Sequence, residues 1–143
     1  SDICEFPPAL TGQADSGTSY VLIETSNSEA PLRYFIEVAD NQAEQMRGLM
    51  HRQLMSDEFG MLFVFQFESP RSFWMRNTFI PLDIIFIEAD GDIVSIVENA
   101  EPLTETSRRS DGPAKYVLEL AGGESARAGI SAGDHVSIVM PEP

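Results

Sequence analysis

The chain has 143 residues, enough for one domain with a real core and too few for two of ordinary size. Lys and Arg number 9 against 23 Asp and Glu, a formal charge of -14, so the surface repels nucleic-acid phosphates and acidic lipid. Hydrophobic residues at 43% and charged ones at 22% match a globular composition rather than a disordered one. The longest apolar stretch, Ile80 to Ile87, is broken by Asp83 and falls far short of the roughly 18 residues of a spanning helix, so the chain is not expected to be transmembrane.

Residues 1–32 carry Asp2, Glu5, Asp15, Glu24 and Glu29 and no Lys or Arg, with Pro7-Pro8 and a Gly/Ser/Thr-rich stretch. Residues 1–18 read as a mobile acidic tail, and residues 19–143 as a single β-rich domain. Ser1 to Gly17 has neither a basic start nor an apolar core, so any signal peptide is expected to have been removed already. Cys4 is the only cysteine, which leaves no intrachain disulfide, and bulky Ile3 before it argues against a lipid-anchor site.

From Tyr20 the texture changes to short β-rich runs, Tyr20 to Ile23 and Tyr34 to Val38, each bounded by turn formers. Asn41 with Glu44 forms a capping box, and Ala43, Met46, Leu49 and Met50 then fall at helical spacing, predicting an amphipathic helix over 41–50. Met61 to Phe67, Ser72 to Met75, Leu82 to Glu88 and Ile93 to Val97 follow as strands, the last two joined by the hairpin dipeptide Asp90-Gly91, in the manner of a meander. Residues 101–112 are polar and make the longest candidate surface loop. Lys115 to Leu120 is a further strand, Gly122-Gly123 opens a single helical turn ending at Gly129, and Gly133-Asp134 turns into His135 to Met140. About eight strands against two short helices predict a mainly β fold, a compact antiparallel barrel closed or nearly closed by pairing of its edges.

Arg76, Asn77 and Asp83 interrupt a segment that otherwise asks to be buried. A buried carboxylate without partners costs several kcal/mol, so Asp83 needs a cation and hydrogen-bond donors, and Arg76 and Arg47 are the obvious cations. Glu119 poses the same question inside Tyr116 to Leu120, where alternation sets it on the face with Val117. One reading is a pocket with Trp74 as apolar wall, Arg47, Arg76 and Asn77 as donors, and Asp83 and Glu119 as acceptors or an acid/base pair. The other is a structural ion-pair network, with Trp74, as a large aromatic, in the core.

Metal and nucleophile signals are weak. Met46, Met50, Met55, Met61 and Met75 cluster beside His51, and Met50, His51 and Met75 would be the set for Cu(I), although core filling is the simpler reading of clustered methionines. No Cys-x-x-Cys, His-Glu-x-x-His or Gly-x-Ser-x-Gly occurs, and His51 and His135 read as solvated loop residues. Asp57 with Glu58, and Asp90 with Asp92, read as turn residues rather than calcium ligands. No metal and no cofactor is expected.

The chain resembles the domain of unknown function family 192 in Arg47-Gly48-Leu49-Met50, Gly60 to Phe65, Trp74-Met75-Arg76-Asn77-Thr78, Pro81 to Phe86, Tyr116 to Leu120, and Gly129-Ile130 with Gly133-Asp134. The resemblance spans about Tyr34 to Met140 and implies a compact, mostly β single domain, without implying an activity. Members of that family are often found behind a signal peptide or lipoprotein signal in bacteria. The family's recurring positions coincide with Arg47, Trp74, Arg76, Asn77, Asp83 and Glu119. The expectation is therefore a small monomeric ligand-binding domain of the periplasm or the exterior, with a polar pocket around Trp74, Arg76, Asn77 and Asp83. Its rivals are an enzyme acting on a small polar or sugar-like substrate through Asp83 and Glu119, and a protein-interaction module presenting the 101–112 loop.

Overall fold

In a computed structural model the described residues are 18–141, and the expected acidic tail lies almost wholly outside them. Nine strands and two short helices follow in the order β1 (Tyr20–Glu24), β2 (Leu32–Ala39), α1 (Gln42–Arg47), β3 (Phe59–Ser69), β4 (Ser72–Phe73), β5 (Leu82–Ile87), β6 (Ile93–Ala100), β7 (Arg108–Arg109), β8 (Ala114–Ala121), α2 (Glu124–Ala128) and β9 (His135–Val139). Seven of the strands form one curled sheet in the order β6-β5-β8-β3-β2-β1-β9, and β4 pairs with β7 in a separate two-stranded flap.

The sheet is a half-barrel whose edges meet at one end. Asp92 bridges His135, the Ile93 N–H donates to the Asp134 carbonyl at 2.9 Å, and the Val136 N–H donates to the Gly91 carbonyl at 2.8 Å. Val21, Tyr34, Leu62, Ile85, Ile93, Tyr116 and Val136, one from each sheet strand, meet in the same buried cluster, which places the main core inside the curl. A second cluster, including Leu49, Met61, Phe63, Met75, Ile84, Phe86 and Val117, lies on the other face of β3, β5 and β8. All six residues of β5 are buried, as expected of a strand covered on both faces.

All but one of the sheet pairings are antiparallel. The exception is β2 with β3, which run parallel from Phe35 opposite Phe59 to Ala39 opposite Phe63. Parallel neighbours need a crossover, and residues 40–58 supply it with α1 on board. The predicted meander is therefore interrupted by one helix-bearing crossover, because a ten-residue helical pattern between two strands leaves room for the chain to return in the same direction.

The start of α1 is as the capping pattern predicts: the Asn41 side chain accepts from the Glu44 N–H at 2.9 Å. It ends at Arg47 rather than residue 50, because Gly48 turns out of the helix at φ 49°. That turn carries Leu49 into the outer cluster, while Met46 stays 70% exposed. The 101–112 segment is also more ordered than a loop. Leu103 N–H donates to the Thr78 carbonyl at 3.0 Å, Met75 N–H donates to the Thr104 carbonyl at 2.8 Å, and β7 then pairs with β4.

Candidate functional site

Beyond Val64 the pairing of β3 with β8 is interrupted until Ser69 meets Ala114, and the chain leads into the β4–β7 flap. Arg71 fixes the base of that flap: its Nε donates to the Ala114 carbonyl at 3.0 Å, its terminal nitrogen to the Phe67 carbonyl, and its guanidinium lies 3.9 Å from the Phe65 ring centre. On the other side α1 is tied to the sheet by Gln45, whose amide donates to the Val64 carbonyl at 2.7 Å and the Ala39 carbonyl at 3.2 Å. Between flap and helix lies a cavity of about 630 Å³. Its lining includes Arg47, Met50, Arg71, Phe73, Trp74, Arg76, Asn77 and Glu119, a mixture of apolar wall and a few polar groups typical of small-ligand sites.

Glu119 has the least ordinary environment of these. Its strand neighbours are Met61 on β3 and Ile84 on β5, and it sits on the outer face with Val117, where the alternation of β8 puts it. The residue is 4% exposed, and among the described residues no hydrogen bond or ion pair reaches its carboxyl. Burial without a cation disfavours the charged form and pushes its pKa up to about 8. At neutral pH the group is mostly an uncharged O–H donor on the cavity wall.

Trp74 is 44% exposed, so it is a wall residue and not the core aromatic that its size suggests. The Arg76 guanidinium lies 5.3 Å from its ring centre, and an Arg76 nitrogen is 4.0 Å from a Glu105 oxygen. Both ends of that pair are more than half exposed, which makes it a weak and displaceable contact. Arg47 has no hydrogen-bond or ion-pair partner among the described residues. Asn77 holds the left-handed conformation at φ 55°, which asparagine tolerates better than most residues, and its carbonyl accepts from the His51 N–H at 2.8 Å.

Asp83 is not part of this cavity. The register of β5 on β8 sets Asp83 opposite Leu120 and Ile84 opposite Glu119, so the two carboxyls project from opposite faces of the sheet. Fully buried, Asp83 accepts from three backbone N–H groups and no arginine: Asn99 at 2.9 Å and Gly123 at 3.0 Å on one oxygen, Ser125 at 2.7 Å on the other. These bonds fasten β5 to the turn into α2, where Gly123 adopts φ 91°. The expected convergence of two carboxylates with Arg47 and Arg76 therefore reduces to one carboxyl, Glu119, with both arginines in the lining of its cavity.

The remaining candidates sit apart from one another. Met75 is fully buried in the outer cluster, Met50 lines the cavity, and His51 is exposed with its ring edge-on to Phe79. His135 Nδ1 lies 2.9 Å from an Asp92 oxygen at the sheet closure. Glu88, Asp90 and Asp92 bring carboxylates within 4.8 Å of one another at the β5–β6 turn, where Asp90 accepts from the Asp92 N–H at 2.9 Å. Burial and the like charges of Asp90, Glu68 and Asp92 raise the Glu88 carboxyl above its usual range. Sequence patterning left Arg71 and Phe73 out of the site: neither breaks a pattern, and only the flap's path brings them to it.

The fold and cavity define a class, a mainly β half-barrel whose outer face is covered by one short helix and a flap with a ligand-sized space between them. The chain matches the model of DUF192, described as Uncharacterized ACR, COG1430, over residues 22–138, and it belongs to that family. Among solved structures it is similar to a Sinorhizobium meliloti 1021 protein provisionally described as a transcription regulator, at 38% identity and a TM-score of 0.80, over 87% of this chain and 96% of that one. It is also similar to a protein of unknown function from Novosphingobium aromaticivorans DSM 12444, at 37% identity and a TM-score of 0.80, over 91% of this chain and 94% of that one. No curated protein matches it.

Proposed function

We propose that this protein is a small-molecule-binding domain whose site is the cavity between α1 and the β4–β7 flap. One observation carries the reading: Glu119 is an almost fully buried carboxyl with no partner among the described residues, and it lines a cavity of about 630 Å³. Its carboxyl opens on the cavity and not on a protein partner, so a ligand that accepts its proton gains a hydrogen bond there. The arrangement supports binding over the rival catalytic reading, because paired-carboxylate chemistry needs two groups facing one substrate and Asp83 faces away. We further propose that the domain works outside the cytoplasm, in keeping with the exported proteins of the family it resembles; cell fractionation tests this.

The description attached to the Sinorhizobium structure directs attention to DNA. A chain charge of -14 opposes that contact, since the affinity of proteins for DNA is dominated by neutralising phosphates. The binding reading is tested by a thermal-shift screen of organic anions, sugars, peptides and metals on the wild type and on Trp74→Ala. A ligand at about 100 times its Kd adds roughly 2.7 kcal/mol to the wild type. The response is expected to vanish in Trp74→Ala, and an undiminished response there would move the site elsewhere.

A further inference from the structure

We propose that the ligand is a small organic monoanion, a carboxylate on an aromatic or alkyl body, with its charged end at Arg47 and Arg76 and its apolar body against Trp74 and Phe73. This rests on the cavity being a binding site and adds the chemical class of what it takes. The first ground is the distribution of charge. The chain has only 9 Lys and Arg residues at a net charge of -14, yet Arg47, Arg71 and Arg76 all line this one cavity. Opposing them in the lining are Glu105 and the buried Glu119. A concentration of cations in a concavity of a strongly acidic protein is a local field for an anion.

The second ground is which cations are free to act. Arg71 is committed to the flap through two carbonyls and the Phe65 ring. Among the described residues Arg47 makes no hydrogen bond or ion pair and has only a longer-range attraction to Glu37, and Arg76 has the ring of Trp74 and a 4.0 Å contact with Glu105. A guanidinium offers a planar fork of donors matched to a carboxylate, and Arg76 can keep its stacking on Trp74 while presenting them.

The third ground is the remainder of the wall. Phe73 lies in an edge-on aromatic stack, its ring centre 5.0 Å from that of Phe63, and with Trp74 it offers flat apolar surface suited to a ring or an alkyl chain. Protonated Glu119 does not repel an anion and supplies one donor to a neutral acceptor on the ligand body. Glu105 near Arg76 penalises a second negative charge, which favours a carboxylate over a phosphate monoester.

The test uses three matched probes, naphthalene-2-acetate, its carboxamide and 2-naphthyl phosphate, with octanoate and octanamide as the alkyl pair. Binding is followed by backbone amide shifts of the folded wild type and of the Arg47→Gln, Arg76→Gln double variant, whose unchanged Tm verifies its fold. The carboxylates are expected to shift cavity resonances and to bind at least tenfold more tightly than the amides. The double variant is expected to lower carboxylate affinity to the amide level and to leave the amides alone. Equal or tighter binding of the amides overturns the anion class while sustaining the cavity as a site. Tighter binding of the phosphate overturns the monoanion. Absence of cavity shifts with every probe overturns both the class and the binding reading.

Discussion

Replacing Glu119 by glutamine is expected to make the protein more stable at neutral and alkaline pH. Glutamine has the shape and the neutral charge of the protonated acid, so the substitution removes only the capacity to ionise. In the unfolded chain the carboxyl ionises near its ordinary 4.5, and in the folded chain burial pushes it up to about 8. Between those values the unfolded state has released a proton that the folded state still holds, so this group's contribution to stability falls as pH rises. It is fully present below about 4.5 and lost by about 8. At 1.36 kcal/mol per unit the whole span is worth roughly 5 kcal/mol, of which about 3 is already lost at pH 7. Urea denaturation of wild type and Glu119→Gln from pH 4 to pH 9 measures the difference directly, and subtraction cancels the contributions of the other acidic groups. The curves should meet near pH 4 and diverge to roughly 3 to 5 kcal/mol in favour of the variant above pH 7. Parallel curves would refute the reasoning and mean that Glu119 is solvated or paired.

Asp83→Asn is expected to cost about 3 kcal/mol or more, because an amide has one acceptor oxygen and must turn an NH₂ toward one of the three backbone donors now met by the carboxylate. Denaturation reads the loss, and a cost below about 1 kcal/mol would count against the fastening role. Trp74→Ala is expected to cost only about 1 to 2 kcal/mol, since the ring is 44% exposed, and a loss of 3 to 5 kcal/mol would restore it to the core. Tyr34→Phe removes the 2.8 Å hydrogen bond to Glu124 but leaves Arg127 on the same carboxylate, so about 1 kcal/mol should be lost in the same assay. In a gel-shift assay at physiological salt, duplex DNA should remain unretarded, and saturable retardation would argue for direct DNA contact.

Much of the fold is legible because strand character, and in β8 the alternation of its two faces, is written locally. Val117 and Glu119 on one face and Tyr116, Leu118 and Leu120 on the other follow from the two-residue period of β8 alone. The start of α1 is likewise local, fixed by Asn41 and its bond to Glu44. What sequence does not carry is the register between strands. A shift of one residue between β5 and β8 would put Asp83 on the face of Glu119, and no local pattern distinguishes the two alignments. Trp74 and Met46 read as core by residue type, yet both border the cavity, since apolar character alone does not separate a core from a pocket wall. Arg71 is silent in the sequence because its partners are backbone carbonyls, at Phe67 and Ala114.

Trp74 is the only tryptophan in the chain and it stands in the cavity wall, so its fluorescence reports on that site alone. The most direct measurement is a titration of wild-type emission with octanoate, which has no absorbance of its own at the exciting wavelength, beside octanamide. Saturable change with octanoate, at least tenfold weaker with octanamide and lost in the Arg47→Gln, Arg76→Gln variant, is the expected result. Emission that stays flat with both, while the protein remains folded, would contradict the claim that this cavity is a binding site.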